Sequence, residues 1–567
     1  MNRNSQAHFA ETPTLSIGRS KFNRSYTHKT TFNAGDLIPF YVDPMILPGD
    51  TVKMNTAQVV RMMTPITPVM DNAVLDTYFF FVPYRLVWEH FQEFMGENKT
   101  APWAQNIERE VPQVSAPTGG WTKGSIADFM GVPTKVDNFK MSALPFKAYA
   151  LIWNEHFRDE NLKNPCYISL GDSDIAGKDI LDANYDYVTM TEAGGAPLKV
   201  AKTSDYFTRA LPQAQKGPAV TVPLGTSAPI IASEPYRQAH TGDTGVYNYQ
   251  AEAYGTGSAD NGLVFVNPTT EASAYVASGK FVGLAADLNN AAAATINALR
   301  TSFQVQKFYE RQAIGGTRYI ELIRSHFSVT NPDYRLQRPE YLGGMRTPIN
   351  INQVVQTDAT SQQAVVDEEG QWSMADLSPQ GNTAAYSLTA GNDRDLFTHS
   401  FTEHGILMGL CCVRIQNHTY QQGLNRAFSA KKWSDFYWPE FANLGNMPIY
   451  NKEIYLQGNT VVDTDGNIVD DQVFGYQEAW ANYRYMPDIV TGEMRSNYDQ
   501  SLDIWHWADD YESLPYLGSD WIDEDKANFA RTLAVQDHDQ FIGDFYFDAI
   551  YTRPMPLYSV PGLIDHH

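Results

Sequence analysis

The sequence predicts a mainly β fold, a sandwich or barrel of short strands. From Lys29 onward, short runs of alternating polar and apolar residues follow one another, separated by Pro, Gly and Asp. Residues 405–416 form a continuous apolar run, which is typical of a strand buried on both faces. Aromatic residues make up 13% of the 567 residues, and this content suits a large core or extensive interfaces.

The first predicted strands lie in residues 29–42 and 51–63, and turn-forming Asp, Pro and Gly residues separate them. The second run, TVKMNTAQVVRMM, alternates, so that Val52 and Met54 share one face while Lys53 lies on the other. One face of this strand is therefore expected to pack on the core.

The stretch LDTYFFFVPYRLVWEHF at 75–91 begins as a strand that lacks a polar face. Its side chains alternate between two apolar sets: Leu75, Thr77, Phe79 and Phe81 on one side, and Tyr78, Phe80 and Val82 on the other. A strand at the surface of a soluble monomer keeps one face polar, so both faces here need a cover. The apolar spacing at 87–94 predicts a helix that supplies part of it.

Later segments show either helical spacing or strand alternation of their apolar residues. Helical spacing predicts a helix within 142–162 and another that starts near Ile296, whereas 317–329 alternates and predicts a strand. His156, in the first of these helices, is expected to be a packed residue rather than a metal ligand. The sequence DTDGN at 463–467 lacks the ligand spacing of a calcium loop and predicts a hairpin turn.

Residues 226–294 differ in composition from the rest of the chain. Of these 69 residues, 38 are Ala, Gly, Ser, Thr or Asn, and five tyrosines are scattered among them. Such a segment has little apolar material for a core of its own, which fits a disordered linker. The tyrosines and the short apolar runs at 263–266 and 281–284 favour an ordered surface excursion with the composition of a binding loop.

The net charge of −23 excludes a protein that neutralises nucleic acid phosphates over its whole surface. The charge is uneven. Residues 1–30 contain five Lys or Arg against one acidic residue, a surplus of +4, and 499–548 contain two against 13, a surplus of −11. A nucleic acid contact would therefore be local or would use a basic partner. A solvated acidic face and a disordered basic arm explain the same counts.

The motifs of common enzymes and metal sites are absent from the sequence. It contains no nucleophile elbow, Walker A loop or zincin motif, and its acidic pairs at 509–510 and 523–525 are weak evidence for acid–base chemistry. The three cysteines have no metal-binding spacing, which favours reduced thiols that pack as small apolar groups: Cys166, Cys411 and Cys412. No segment resembles a signal peptide or a membrane span. We predict that the protein is not an enzyme and binds no cofactor.

Several motifs together resemble the major capsid proteins of small single-stranded DNA phages, the Microviridae, and most closely the gokushovirus branch. They occur in the family's order and span most of the chain outside 226–294. The motifs are RSKFNRSYTHKTTFNAGDLIPFYVD at 19–43, LPGDT at 47–51, TPVMDN at 67–72, FFFVPYRLVW at 79–88, LIWNEHFRDENL at 151–162, DYFTRALPQAQKGP at 205–218, GGTRYIELIRSHFSV at 315–329 and GYQEAWANYRYMPDIVTGEMRS at 475–496.

The resemblance implies an eight-stranded viral jelly roll with long loops, several helices and a surface insertion between strands E and F. The implied parts are a basic arm (1–28), the first part of the jelly roll (29–225), the insertion as a threefold protrusion (226–294) and the second part with its acidic C-terminal region (295–567). It also implies a T=1 icosahedral homo-oligomer located in the virion and assembled in the bacterial cytoplasm. The implied partners are a circular single-stranded DNA genome, a small basic internal protein and a host receptor.

Two sets of residues are candidates for contacts with these partners. Basic and aromatic residues of the arm are expected to bind phosphates and stack on bases: Arg19, Lys21, Phe22, Arg24, Tyr26 and Lys29. Alternatively, the arm bridges neighbouring subunits and its charges pair with their acidic groups. The candidates for host contact are Tyr247, Tyr249 and Tyr254. The acidic C-terminal third would suit Ca²⁺, although no ligand spacing indicates a site.

The alternative function is a carbohydrate-binding β protein, such as a lectin or adhesin. The segment DIWHWADDYES at 503–513 combines Trp and Tyr with acidic neighbours, a set that can stack on sugars. The competing explanation is a buried Trp pair near a surface turn, which we favour.

Overall fold

The computed structural model describes residues 18–97, 109–174, 195–218, 220, 230–232, 250–253, 263–266, 273–274, 284–286, 296–316, 318–355, 363–366, 372–375 and 383–558. The chain divides into two compact units. The first combines Met1–Ala214 with Ile314–His567, and the second is Gln215–Ala313.

Strands account for most of the regular structure. In chain order they are β1 (Ser20–Asn23), β2 (Tyr26–Phe32), β3 (Ile38–Ile46), β4 (Thr51–Met62), β5 (Ala73–Pro83), β6 (Gln113–Ser115), β7 (Lys140–Ser142), β8 (Ile230–Ala232), β9 (Gln250–Ala253), β10 (Leu263–Val266), β11 (Ser273–Ala274), β12 (Leu284–Ala286), β13 (Glu340–Pro348), β14 (Ile351–Val355), β15 (Gln363–Val366), β16 (Trp372–Ala375), β17 (Thr383–Ser387), β18 (Thr389–Ser400), β19 (Gly405–Ile415), β20 (Asn446–Tyr450), β21 (Val473–Glu478) and β22 (Phe541–Arg553).

The helices are fewer and mostly short. The α-helices are α1 (Phe91–Phe94), α2 (Ile126–Phe129), α3 (Leu144–Ile152), α4 (Ile296–Gly315), α5 (Tyr319–Phe327), α6 (Asp333–Leu336), α7 (Asn451–Ile454) and α8 (Lys526–Ala530). A π-helical turn, Trp153–Phe157, continues α3. The 3₁₀ turns are Tyr84–Leu86, Arg426–Ser429, Trp433–Asp435, Pro439–Phe441, Val469–Asp471, Ala481–Tyr483, Gly492–Met494 and Asp503–Trp505.

Two antiparallel sheets dominate the first unit. In the first sheet the hydrogen-bonded order is β1-β22-β4-β18, and β2 pairs with β22 beside β1. In the second sheet the order is β13-β5-β19-β3. The predicted mainly β class is confirmed. Neighbours in both sheets lie far apart in sequence, so the sheets form through non-local pairing.

β5 has no exposed position, and its two faces belong to two different cores. The first hydrophobic cluster contains Leu75, Phe79 and Phe81 of β5 together with side chains from both sheets. The second takes Phe80 and Val82 from the other face. The prediction that both faces of this strand are covered is therefore confirmed.

Helical segments and loops cover the second face of β5. Tyr149 of α3 is buried there, and its hydroxyl donates to the carbonyl of Leu37 at 2.7 Å. Val87 and Trp88 are also fully buried in this cluster, and α1 packs beside them. His156 lies against the ring of Phe80, and burial lowers the pKa of His156 to about 3. This neutral, packed histidine agrees with the prediction.

β19 runs through the middle of the second sheet and is buried on both faces, as its apolar sequence predicts. Cys411 belongs to the first cluster and Cys412 to the second, so these neighbouring thiols point to opposite faces. Cys166, Cys411 and Cys412 are all buried, and none of them forms a disulfide. Gly409 of the same strand has no room for a side chain, because a Cβ there would lie 2.9 Å from the ring of Phe79.

One predicted element is wrong. Residues 317–329 were expected to form a strand, but Tyr319–Phe327 is helical (α5). Glu321 accepts a hydrogen bond from the backbone N–H of Arg318 at 3.1 Å and caps the first turn, and Ser328 ends the helix in the left-handed region. Alternation over a few residues is ambiguous when apolar residues also recur at helical spacing, and here the end caps decide in favour of the helix.

Three other predicted elements are confirmed. α4 starts at Ile296, α3 lies within 142–162, and the residues around 463–467 form a turn in which Val462 pairs with Ile468. In the second unit, β9, β10 and β11 form one small sheet, and β8 pairs with β12. No helix among the described residues is both long and apolar enough to span a membrane.

Candidate functional site

The basic N-terminal segment is part of the first sheet rather than a free arm, as far as it is described. Ser20–Asn23 and Tyr26–Phe32 both pair with β22. Arg24, between the two strands, forms an ion pair with the buried carboxylate of Asp43. Its guanidinium also lies 4.7 Å from the centroid of the Tyr551 ring. Arg24 therefore fastens these strands to the core of its own subunit.

The aromatic candidates of this segment pack on the protein itself. Phe22 packs on the first cluster. The ring of Tyr26 lies 5.6 Å from that of Tyr41 and 5.1 Å from that of Phe547. Burial raises the pKa of Tyr26 to about 12, so its hydroxyl stays neutral at physiological pH. Tyr26 is nevertheless 41% exposed, which leaves part of the ring accessible.

The remaining basic candidates are exposed. Lys29 forms a surface ion pair with Asp544 at 3.2 Å. Arg19 and Lys21 are exposed, and no ion pair involves either of them within the described residues. The structure thus brings Arg24 and Tyr26 together around Tyr41 and Tyr551, and leaves Arg19 and Lys21 as the basic side chains available to a partner. The host-contact candidates Tyr247, Tyr249 and Tyr254 lie outside the described residues.

A buried charged cluster joins four distant chain segments. Lys202 donates to Asp509 at 3.1 Å, and the ring of His418 lies 3.2 Å from Glu524 and 3.5 Å from Asp509. All four side chains are nearly inaccessible to water. Glu524 also accepts the backbone N–H of Ile415 at the end of β19. The cluster therefore ties the long 416–540 segment to the second sheet.

In this cluster, the attraction between opposite charges outweighs the cost of burying them, and it therefore determines the protonation states. Burial opposes a charge on His418, but Glu524 and Asp509 outweigh it and raise the pKa of His418 to about 10. Burial likewise opposes the charge of Asp509, but Lys202 and His418 hold its pKa far below the ordinary value. His418 is consequently an imidazolium at neutral pH.

We expect the subunit to lose stability as the pH rises from about 6.5 to about 10. A folded pKa above the unfolded value stabilises the fold below pH 6.5, and this contribution disappears as His418 loses its proton. The slope from one such group is at most about 1.4 kcal/mol per pH unit. Urea unfolding at several pH values measures it, with His418→Gln as the comparison. Parallel pH profiles of the two proteins would contradict the assignment.

An exposed aromatic surface was missed at the sequence level. We call it the aromatic face: the exposed side chains Phe428, Trp433, Phe436, Tyr437, Trp438, Leu444 and Tyr483. The signal was present, because KKWSDFYWPEF at 431–441 holds five aromatic residues next to two lysines. The segment lacks strand or helix periodicity, so its sequence does not indicate that these side chains lie on one surface.

The proposed sugar-binding segment has a different role. Trp507 is 1% exposed, its ring centroid lies 4.6 Å from that of Phe529, and its indole N–H donates to the hydroxyl of Thr532 at 3.2 Å. Asp509 belongs to the buried charged cluster. The expected burial of a Trp pair is therefore confirmed for Trp507, whereas Trp505 is half-buried. Among the described residues, no group of three or more His, Cys, Asp or Glu could hold a metal ion.

A two-sheet β fold, a basic segment at a sheet edge and a large exposed aromatic face fit a structural protein. The chain belongs to the capsid protein (F protein) family, whose model matches residues 10–563. It is accordingly a major capsid protein of a bacteriophage, a component of the virion that assembles into a shell, and not an enzyme.

Three relatives are similar over nearly their whole length. Capsid protein VP1 of Bdellovibrio phage phiMH2K is 40% identical over 570 residues, which cover 99% of this chain and 98% of the relative. Capsid protein VP1 of Chlamydia phage 1 is 38% identical, with 98% and 97% covered. Capsid protein VP1 of Spiroplasma virus 4 is 38% identical, with 96% of each covered.

Proposed function

We propose that the two large sheets are the layers of an eight-stranded viral jelly roll. Lettered B to I in chain order, the strands are β2, β3, β4, β5, β13, β18, β19 and β22. The first sheet then has the order B-I-D-G and the second the order F-E-H-C. Apart from β1, which also pairs with strand I, each sheet has four strands, and a sandwich of two antiparallel sheets with these neighbours is the arrangement expected of two interlocked Greek keys.

In this assignment the connection between strands E and F runs from 84 to 339. It contains 226–294, the segment that we propose as a surface insertion forming protrusions at the threefold axes. Its composition supports a binding loop, and Tyr247, Tyr249 and Tyr254 are the proposed contacts with a receptor on the host cell. Particles with these three tyrosines changed to serine should assemble but adsorb less to the host. Unchanged adsorption would refute this role.

We further propose a closed T=1 icosahedral shell around a circular single-stranded DNA genome. The observation that carries this function is the strand order of the two sheets in a chain that belongs to a capsid family. The net charge of −23 supports a small basic internal protein that neutralises most of the phosphates. Assembly would take place in the cytoplasm of the bacterial host. Cryo-electron microscopy of particles tests the symmetry, and nuclease digestion of their contents tests the genome type.

Arg19 and Lys21 are the proposed DNA contacts of the N-terminal segment. We expect the double variant R19E/K21E to form shells that hold about two- to fivefold less DNA, because two favourable phosphate contacts become repulsive. Measuring DNA per shell by absorbance checks this expectation. Arg24 is unsuitable for the test, since its loss would leave Asp43 buried without its partner.

The matched control is K135E/R209E, which reverses two exposed basic residues elsewhere in the chain. The control is expected to package normally. If R19E/K21E also packages normally, the segment does not bind the genome. The alternative that it bridges subunits predicts instead that R19E/K21E reduces the yield of shells.

A further inference from the structure

Ring contacts join members of the aromatic face in two groups, and Phe428, Phe436 and Leu444 lie close to them in sequence. Trp433 lies 6.3 Å from Trp438, measured between ring centroids. Tyr437 lies 5.6 Å from Trp480 and 6.1 Å from Tyr483. Phe428 is 81% exposed and Trp433 66%. Such a concentration of exposed apolar side chains is uncommon on proteins that stay monomeric.

Hydrogen bonds fix the backbone and rings of this surface in advance. The indole N–H of Trp438 donates to the carbonyl of Trp433 at 3.0 Å, and that of Trp480 donates to Phe441 at 2.8 Å. The backbone N–H of Tyr437 donates to the hydroxyl of Tyr483 at 3.1 Å. A partner would therefore dock on a rigid surface and would not have to order it first.

The charges of the aromatic face complement those of the rest of the chain. Residues 424–444 carry three basic and two acidic side chains, a surplus of +1, whereas the whole chain carries −23. Lys431 and Lys432 are exposed, and no ion pair involves either ammonium group within the described residues. The acidic region 499–548 of a second copy, with its surplus of −11, would present carboxylates to them.

We propose that the aromatic face is a contact surface between subunits and that its occupant is a second copy of this chain. Exposed aromatic and aliphatic side chains outnumber the unpaired basic groups here, which is the composition of an interface core. Nucleic acid is the competing occupant, because lysines next to aromatic rings can bind single strands. The carboxylates of Asp435 and Glu440 within the same segment disfavour phosphates.

The second copy must bind through a part of its surface other than its own aromatic face. Contacts between two different patches are heterologous, and such contacts close a ring of subunits around a symmetry axis. A contact of the aromatic face with another aromatic face would place Lys431 and Lys432 near their own equivalents. The proposal rests on assembly into a shell, and is independent of the jelly roll and of the genome type.

The main test is the triple variant F428S/W433S/F436S in the full-length chain. We expect the yield of shells, measured by sedimentation, to fall at least tenfold, while the circular dichroism and the unfolding midpoint of the dissociated subunit stay unchanged. The matched control M45S/M70S/Y516S removes three side chains that are also highly exposed but lie off the aromatic face. The yield of shells from this control should be at least half of the yield from the unmodified chain. Normal assembly of the triple variant would overturn the proposal.

A labelling measurement covers the case in which the triple variant does not fold. Ser434 is exposed within the aromatic face, and all three native thiols are buried, so S434C adds a selectively reactive thiol. We expect N-ethylmaleimide to label it at least tenfold more slowly in shells, with or without DNA, than in dissociated subunits. Equal rates would overturn the proposal, as would protection only in DNA-filled shells, which would assign the face to nucleic acid. S519C, exposed elsewhere, reports general access to the shell.

Discussion

Replacement of Phe79 by alanine is expected to lower the free energy of unfolding of the subunit by about 3–5 kcal/mol. Phe79 is fully buried and lies between the two sheets. Its ring is 5.6 Å from Phe40 in the second sheet, and 5.6 Å from Phe397 and 6.4 Å from Phe547 in the first. Alanine leaves a cavity at this junction, because strands on both sides hold the backbone in place.

Urea unfolding of the dissociated subunit measures this change. Phe428→Ala is the matched control, since it removes the same side chain at an 81% exposed position and should cost less than about 0.5 kcal/mol. A comparable loss in both variants would mean that Phe79 does not join the two sheets. Phe79→Leu should recover part of the stability, because it fills part of the cavity.

Replacement of Asp509 by alanine is expected to cost a similar amount, about 3–5 kcal/mol, for a different reason. Asp509 balances the buried charges of Lys202 and His418, and it accepts a hydrogen bond from Asn528. Its removal leaves Lys202 buried without the carboxylate it pairs with, and leaves His418 with Glu524 alone. A loss of unfolding free energy in urea is the expected readout, together with a lowered pKa of His418 in an NMR titration.

Asp520→Ala is the control for this variant, because Asp520 is exposed in the same acidic region and should change stability by less than about 0.5 kcal/mol. The double variant K202M/D509L tests the mechanism, since replacing a buried ion pair by apolar groups is often close to neutral. If D509A were no less stable than the native subunit, the cluster would not contribute to folding.

Local patterns predicted the elements with strong periodicity. The two apolar faces of β5 and the continuous apolar run of β19 both indicated burial on two sides, and both strands lie inside the second sheet. The alternation of β4 indicated one core face, and its buried residues Val52 and Met54 lie on that face. These patterns predicted burial correctly because each reflects the immediate surroundings of a single strand.

Properties that depend on distant residues were not predictable. The strand order of the sheets follows from pairings such as Ser20 with Arg553, and no local pattern indicates them. The acidic pairs at 509–510 and 523–525 gave no sign that Asp509 and Glu524 would be buried beside Lys202 and His418. Residue type alone suggested that Arg24 binds DNA. Its contacts with Asp43 and Tyr551 show instead that Arg24 stabilises the sheet.

The position of β22 also constrains how the subunit is made. Phe541 pairs with Met62, which the ribosome has produced 479 residues earlier (541 − 62). At about 5–20 residues per second, the hydrogen-bonding edge of β4 waits about 25–100 s for its neighbour. An open edge of this length is a template for wrong pairing with other nascent chains. Many copies are translated together in an infected cell, so delayed closure of this sheet gives molecular chaperones a reason to bind the unfinished chain.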